Sequence, residues 1–147
     1  MDRTNENLTA TVAQTAGEIG KADAKAGFLL TLDGLLVTAL SLMGSDLDGP
    51  ALVLAGLAAA VVVLAVVLAV LVIRPRFGVN GTNDRASFVH YATADLDEIR
   101  AAMTEDRRLN QVKITSQIAM RKMLCLRWSG DASLLAIALI AGAIITR

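Results

Sequence analysis

The uncharged run of residues 51–73 is the feature of this sequence that most constrains its fold. It consists almost entirely of Ala, Val, Leu and Ile. As an α-helix it rises about 35 Å at 1.5 Å per residue, which exceeds the roughly 30 Å hydrocarbon core of a bilayer. Such a run is not expected in a soluble domain of 147 residues, so it predicts a transmembrane helix.

Two shorter apolar segments lie on either side of this run. Residues 26–45 carry a single charge, at Asp33, and the turn at residues 44–50 is too short to cross a bilayer. The first two segments therefore predict a transmembrane hairpin. The third segment, residues 132–146, spans a bilayer only if its helix begins near Trp128.

Composition and charge agree with a membrane protein. The chain is 54% hydrophobic, only 3% aromatic, and has a mean hydropathy of +0.55. Fourteen Lys and Arg balance fourteen Asp and Glu, so net charge offers no general attraction for a nucleic acid polymer. The basic residues cluster before residue 26 and between residues 74 and 127, which predicts a cytoplasmic N-terminus.

Both cytoplasmic parts are predicted to be helical extensions of membrane spans, because apolar or small residues recur there at spacings of three and four. The stripe before the first span consists of Leu8, Val12, Thr15, Ile19, Ala22 and Ala26. The seam before the third consists of Leu109, Val112, Ser116, Ala119, Met123 and Leu126. Helices with such seams can pack together.

We therefore predict an all-α membrane protein with a transmembrane hairpin, a small helical cytoplasmic domain and a long C-terminal helix that re-enters the membrane. Its predicted parts are a cytoplasmic extension (1–25), the hairpin (26–73), a cytoplasmic helical region (74–127) and a third transmembrane helix (128–147). Pro75 ends the second span at Arg74. Asp95 and Glu98 predict a capping box at a later helix.

The sequence favours a protein that is not an enzyme. It has one His and one Cys, so we expect neither a metal site nor a Cys–His nucleophile pair. It has no phosphate-binding glycine loop and no Gly-x-Ser-x-Gly elbow. We accordingly predict no catalytic residue and no cofactor.

Several residues have two interpretations. Placing Asp33 near mid-bilayer costs about 2.5 to 3.5 kcal/mol of insertion free energy. Asp33 either lines a pore or belongs to a proton-linked element, or it is a protonated or hydrogen-bonded carboxyl packed against another helix, with Thr38 or Ser41 nearby. The small residues Ala55, Gly56 and 58–60 serve either subunit association or packing within one chain. A small cytoplasmic core favours a homo-oligomer.

The cytoplasmic cations and aromatic residues also allow two interpretations. The cations either contact anionic lipid or converge on a small phosphate-bearing ligand, for which Lys25, Arg74, Arg76 and Lys122 are the candidates. The aromatic residues Phe77, Phe88 and Tyr91 either pack in the core or stack on a base, and Phe88 and Tyr91 are the candidates for a nucleotide site.

Four segments carry a resemblance to a known family: residues 18–26 (EIGKADAKA), 74–76 (RPR), 87–92 (SFVHYA) and the helix at 117–122 (QIAxxK). In this order, between membrane segments, they resemble the Pycsar transmembrane effector family. The Asp23–Lys25 and Arg74–Arg76 pairs, Phe88 and Lys122 match the family's pattern. Together with Tyr91, these residues, Asp23 included, are the candidate nucleotide-binding residues. The sequence departs from the family at Met123, where an aromatic residue is common.

This resemblance implies a role in bacterial antiphage defence at the inner membrane. A partner pyrimidine nucleotide cyclase makes cyclic UMP or cyclic CMP, and the effector responds by impairing the membrane, so that the infected cell dies. We expect the nucleotide to bridge cations from Lys25, Arg74, Arg76 or Lys122. The alternatives are a constitutive helical membrane scaffold and a channel subunit, neither of which responds to nucleotides.

Overall fold

The secondary-structure elements in the described part of the chain are helices. The computed structural model describes residues 3–44, 47–74, 92–104 and 106–147, and no β-strand occurs within those ranges. The helices in the described ranges are α1 (Arg3–Leu42), α2 (Gly49–Ile73), α3 (Leu96–Met103) and α4 (Arg108–Ile145). The predicted all-α class is confirmed.

Three of these helices, α1, α2 and α4, are long and apolar enough to cross a membrane. Their outward surfaces are covered with large aliphatic side chains, of which Leu57, Val63 and Leu135 are each more than half exposed. Contact of such a large apolar surface with lipid is favourable, whereas its contact with water is unfavourable. The chain is therefore a membrane protein, as predicted.

The ends of the hairpin helices follow from local chain chemistry. Gly44 and Gly49 have φ of +76° and +53°, a region that favours glycine, and they reverse the chain between α1 and α2. α2 ends at Ile73, and Arg74 leaves the helical region with ψ of 123°. This is the restriction expected for a residue that precedes proline, so the predicted end of the second span is confirmed.

The predicted capping box at α3 does not form. Asp95 occupies the N-cap position with an extended backbone, as the sequence indicated, but its side chain makes no capping hydrogen bond. The carbonyl of Asp95 accepts a hydrogen bond from the backbone N–H of Ile99, as in an ordinary first turn of a helix. The Arg100 side chain pairs with Asp97 at 3.3 Å. The start of the helix was predicted correctly, whereas its side-chain cap was predicted wrongly.

The chain divides into two compact units. The first, which we call the bundle unit, comprises Gly17–Arg74 and Ile118–Arg147. The second, which we call the Arg108 unit, comprises Met1–Ala16 and Pro75–Gln117.

Small side chains form the interior of the bundle unit. On α2 the buried positions alternate spacings of four and three, which is the 3.5-residue period of a left-handed helical seam. They are Ala51, Ala55, Ala58, Val62, Ala65, Ala69 and Val72. Because most of them are alanine, the helix backbones can approach closely.

The predicted stripe on α1 is confirmed, since each of its six residues is buried or half-buried. The predicted seam on α4 is only partly correct. Val112, Ala119, Met123 and Leu126 are half-buried, but Leu109 and Ser116 are exposed. The buried face of α4 instead passes through Ile118 and Lys122, because a polar pairing turns Lys122 inward.

Within the bundle unit, α1 and α4 run parallel. Asp23 contacts Lys122 and Asp33 contacts Ser133, so both contacts join residues about one hundred positions apart. α2 runs antiparallel to α4, since the carbonyl of Ala65 accepts a hydrogen bond from Ser129, and Leu54 lies beside Gly142. A hairpin followed by a third span requires this arrangement.

Candidate functional site

The three long helices meet at one end of the bundle unit, which we call the Lys25 end. Ala22 and Ala26 of α1 pack against Val72 of α2, and all three are fully buried. Met123, Cys125 and Leu126 of α4 pack on this cluster. The end of α2 at Arg74 therefore lies at the level where α1 and α4 enter the apolar part of the bundle.

An ion pair joins α1 to α4 beside this cluster. Lys122 Nζ lies 2.5 Å from Asp23 Oδ1. The lysine side chain is 13% exposed and the aspartate side chain 38% exposed, so the lysine is the more deeply buried partner. Burial strengthens the attraction and makes the loss of one partner costly, because the other charge is left uncompensated.

Two more candidate cations are placed at the same end. Lys25 and Arg74 are exposed and make no ion pair or side-chain hydrogen bond with any described residue. Lys25 also borders a groove of about 440 Å³ whose lining is otherwise apolar, with Phe28 and Leu126 among its walls. Lys25, Arg74 and Lys122 are thus grouped at one end, with Lys122 already occupied by Asp23.

The remaining predicted ligand residues are Arg76, Phe88 and Tyr91. All three lie outside the residues that the structure describes. Their assignment to a nucleotide site therefore stays a prediction.

Arg108, one of the cytoplasmic cations, is fully engaged within the Arg108 unit. Its Nη1 donates to the Asn5 carbonyl and to Thr9 Oγ1, and its Nη2 donates to Asn5 Oδ1. Nη2 and Nε also donate to the two carboxylate oxygens of Asp106, at 2.7 and 2.9 Å. These contacts use all five guanidinium donors, so Arg108 has none left for a phosphate.

Hydrogen bonding to Arg108 also perturbs the titration of its partner. The Arg108 side chain, followed by its backbone N–H, lowers the pKa of Asp106 from 3.8 to about 2. The same contact raises the pKa of Arg108. The cluster is therefore an ion pair at every physiological pH.

The other ion pairs lie on the surface of single helices. Lys21 binds Glu18 at 2.8 Å and lowers the pKa of that carboxyl. Arg127 lies 3.9 Å from Asp131, and both side chains are largely exposed. Exposed pairs of this kind contribute little to stability.

Asp33 lies in the interior of the bundle unit and is fully buried. Its Oδ1 forms a 2.7 Å hydrogen bond with Ser133 Oγ of α4, and its Oδ2 has no hydrogen-bond partner among the described residues. The sequence had suggested Thr38 or Ser41 as neighbours. This was wrong, because both hydroxyls are exposed and donate to carbonyls of their own helix.

Ser129 and Ser133 were not predicted as part of any site. Both are buried in the bundle, and Ser129 Oγ donates to the Ala65 carbonyl at 2.9 Å. A signal was available in the sequence: two serines four residues apart on a span lie on one helix face, where they can meet a polar residue of another span.

The small residues of α2 separate into two groups. Ala55 and Ala58 are buried within the chain, which is the predicted intrachain packing. Gly56, Ala59 and Ala60 are exposed on the outer surface of the helix. The second group therefore remains open to contacts outside this chain.

Within the described residues, no group of three or more His, Cys, Asp or Glu side chains could hold a metal ion. Comparisons with curated proteins and with solved structures gave no significant match. The profile of the Pycsar effector protein domain, PycTM, matches residues 7–147, nearly the whole chain. This is not a known enzyme family. The chain therefore belongs to the Pycsar effector family, whose members act as effectors in antiphage defence.

Proposed function

We propose that this protein is a bacterial inner-membrane effector that is activated by cyclic UMP or cyclic CMP and acts by impairing the membrane. Membership of the Pycsar effector family supports this function. A pyrimidine nucleotide cyclase supplies the activating ligand. The N-terminus and the Lys25 end of the bundle lie on the cytoplasmic side, where that ligand is made.

The Asp23–Lys122 pair is the observation that carries the proposal. It holds α1 to α4 where both helices enter the bundle, and Lys25 and Arg74, which have no ion-pair partner among the described residues, lie at the same end. The cyclic phosphate of cyclic UMP or cyclic CMP carries one negative charge on two non-bridging oxygens, as a carboxylate does, so it can accept hydrogen bonds from these cations in place of Asp23. In our proposal the phosphate competes with Asp23 for Lys122.

The continuity of the helices links this site to the membrane part. α1 and α4 pass without a break through the Asp23–Lys122 level into their apolar segments. A ligand that separates or rotates the two helices at that level alters their packing further along. It can do so only by binding the altered arrangement more tightly than the resting one.

Association of several copies is part of the proposal. Gly56 and Ala60 are four residues apart on the outer face of α2, in the small-xxx-small spacing that brings transmembrane helices together. We expect Gly56→Leu to reduce the cross-linked oligomer in membranes. Ala58→Gly, which changes a buried position of the same helix, serves as the comparison variant.

The first test is thermal stability of the detergent-purified protein against cyclic mononucleotides and dinucleotides. A ligand that binds only the folded state at a concentration of one hundred dissociation constants stabilises it by about 2.7 kcal/mol. We expect a shift with cyclic UMP or cyclic CMP alone. No shift with any nucleotide, in protein shown to be folded, would favour a constitutive membrane scaffold.

The second test locates the site with single substitutions. Lys25→Ala, Arg74→Ala and Lys122→Ala should each weaken the thermal shift and the nucleotide-induced leakage of dye from proteoliposomes. Arg121→Ala is the matched control, since Arg121 neighbours Lys122 but is exposed and unpaired among the described residues. An unchanged response in all three test variants would contradict the proposed site.

A further inference from the structure

An ionised Asp33 carboxyl has to share the one proton of the Ser133 hydroxyl with a second acceptor. Ser133 Oγ lies 2.7 Å from Asp33 Oδ1 and 3.0 Å from the carbonyl oxygen of Ser129. Both neighbours would then be acceptors, whereas a serine hydroxyl has a single proton to donate. An ionised Asp33 therefore competes with the Ser129 carbonyl for that proton.

A protonated carboxyl removes this conflict. Its O–H donates to Ser133 Oγ, and the Ser133 hydroxyl then donates to the Ser129 carbonyl. The Ser129 hydroxyl donates in turn to the Ala65 carbonyl of α2. Each of these hydroxyl protons then has one acceptor. Together the hydrogen bonds connect α1 to α4 and α4 to α2.

The surroundings of Asp33 also disfavour an ion. Oδ2 is buried with no hydrogen-bond partner among the described residues, which is tolerable for a neutral carbonyl oxygen and costly for half of a carboxylate. Among the described residues no cation lies close to Asp33 along the neighbouring helices, because α2 has no charged residue between Gly49 and Ile73 and α4 has none between Asp131 and Arg147. On α1 the nearest cation is Lys25, about two turns away and exposed.

We propose that Asp33 is an intramembrane proton-binding site of the resting bundle, in which a neutral carboxyl donates to Ser133 and locks α1 to α4. The O–H bond of Asp33 stays intact while the bundle is closed. The proton leaves to water only when the helices separate and the carboxyl is hydrated. The inference does not depend on the proposed nucleotide response, since it concerns the closed bundle alone.

Infrared spectroscopy of the full chain in lipid vesicles at neutral pH tests the protonation state directly. We expect a carboxylic-acid C=O band that shifts on incorporation of ¹³C-labelled aspartate and is absent from Asp33→Asn. Asp131→Asn is the control, because Asp131 is largely exposed and should contribute no such band. Absence of the band from the wild-type protein would overturn the proposal, and this arm remains decisive if Asp33→Asn fails to fold.

The pH dependence of unfolding supplies a second test. Because the folded state holds one proton that the unfolded state releases, stability falls as pH rises, and the unfolding equilibrium constant increases up to tenfold per pH unit. We expect this fall of stability with rising pH in the wild type and in Asp131→Asn, and its loss in Asp33→Asn. Equal pH dependence in the wild type and Asp33→Asn would contradict the proton site.

Discussion

The bundle unit and the Arg108 unit each join α1 to α4 by polar contacts across about one hundred residues of sequence, yet the two kinds of contact differ. In the bundle unit, Asp33 and Ser133 are buried and joined by a 2.7 Å hydrogen bond. In the Arg108 unit, Arg108 binds Asn5 and Asp106 at the surface. A buried hydrogen bond fixes the register of two helices, whereas an exposed one is screened and exchanges with water.

The comparison shows which contacts between α1 and α4 are the easier ones to break. The bundle unit relies on close backbone approach, in which each added methylene group is felt. The Arg108 unit relies on donors and acceptors that water can replace. The Asp23–Lys122 pair is intermediate, since one partner is buried and the other is partly solvated. Because one partner is accessible to solvent, a ligand can reach this ion pair, which is the contact that we propose the ligand breaks.

Enlarging a buried alanine should have the largest effect. Ala58→Leu places a large side chain at a fully buried position of α2, and overpacking costs about 1–3 kcal/mol or more. Thermal unfolding in detergent should show the loss. Ala59→Leu is the matched control, because Ala59 is the next residue of the same helix and is exposed. Equal stability of the two variants would refute the buried alanine seam.

Removing a buried hydroxyl should have a smaller effect. Ser129→Ala deletes the hydrogen bond to the Ala65 carbonyl, and such interhelical bonds contribute about 0.6 kcal/mol on average and up to about 1.7 kcal/mol. Ser41→Ala removes a hydroxyl that bonds only within its own helix and should leave the unfolding temperature unchanged. A larger loss in Ser41→Ala would reverse the assignment of the polar layer.

A double-mutant cycle should measure the Asp23–Lys122 pair. With Asp23→Ala, Lys122→Ala and the double variant, we expect a coupling of about 1 kcal/mol, because the aspartate remains partly solvated. High salt should weaken the coupling. The same cycle on Arg127 and Asp131, an exposed pair at 3.9 Å, should give a value near zero. Coupling of equal size in both cycles would remove the distinction between them.

Acid should act on the Arg108 unit with the smallest effect. The folded-state pKa of Asp106 is lowered from 3.8 to about 2, so its contribution to stability is present above pH 3.8 and is lost as pH falls through about 2. Comparing wild type with Asp106→Asn by unfolding at successive pH values should show a difference that disappears at the acid end. A difference that persists below pH 2 would contradict the Arg108–Asp106 contact.

Much of the fold could be predicted from the sequence because apolar length and helical periodicity are local properties. The stripe on α1 was correct, as was the end of α2 before Pro75. The seam on α4 failed at Leu109 and Ser116, where the three-four spacing alone did not determine the buried face. Lys122 instead turns inward because it has a partner on α1, which no pattern within α4 reveals.

The candidate site was predicted less completely. The sequence and its family resemblance singled out Lys25, Arg74 and Lys122, and the structure groups them at one end of the bundle. The pairing of Lys122 with Asp23 and the contact of Asp33 with Ser133 were not foreseen. These contacts depend on the relative register of two helices whose partners are about one hundred residues apart.

By itself the sequence determined that this protein is helical, enters a membrane, and reverses direction at a glycine-containing turn. Those features follow from the hydrophobic effect and from local backbone preferences, which act over a few turns of chain. It did not determine which face of α2 is buried, because a span made of Ala, Val and Leu is apolar all round. Only the tertiary structure decided that Ala58 faces inward and Ala59 outward, and that Asp33 meets Ser133, because close packing of three helices selects one register.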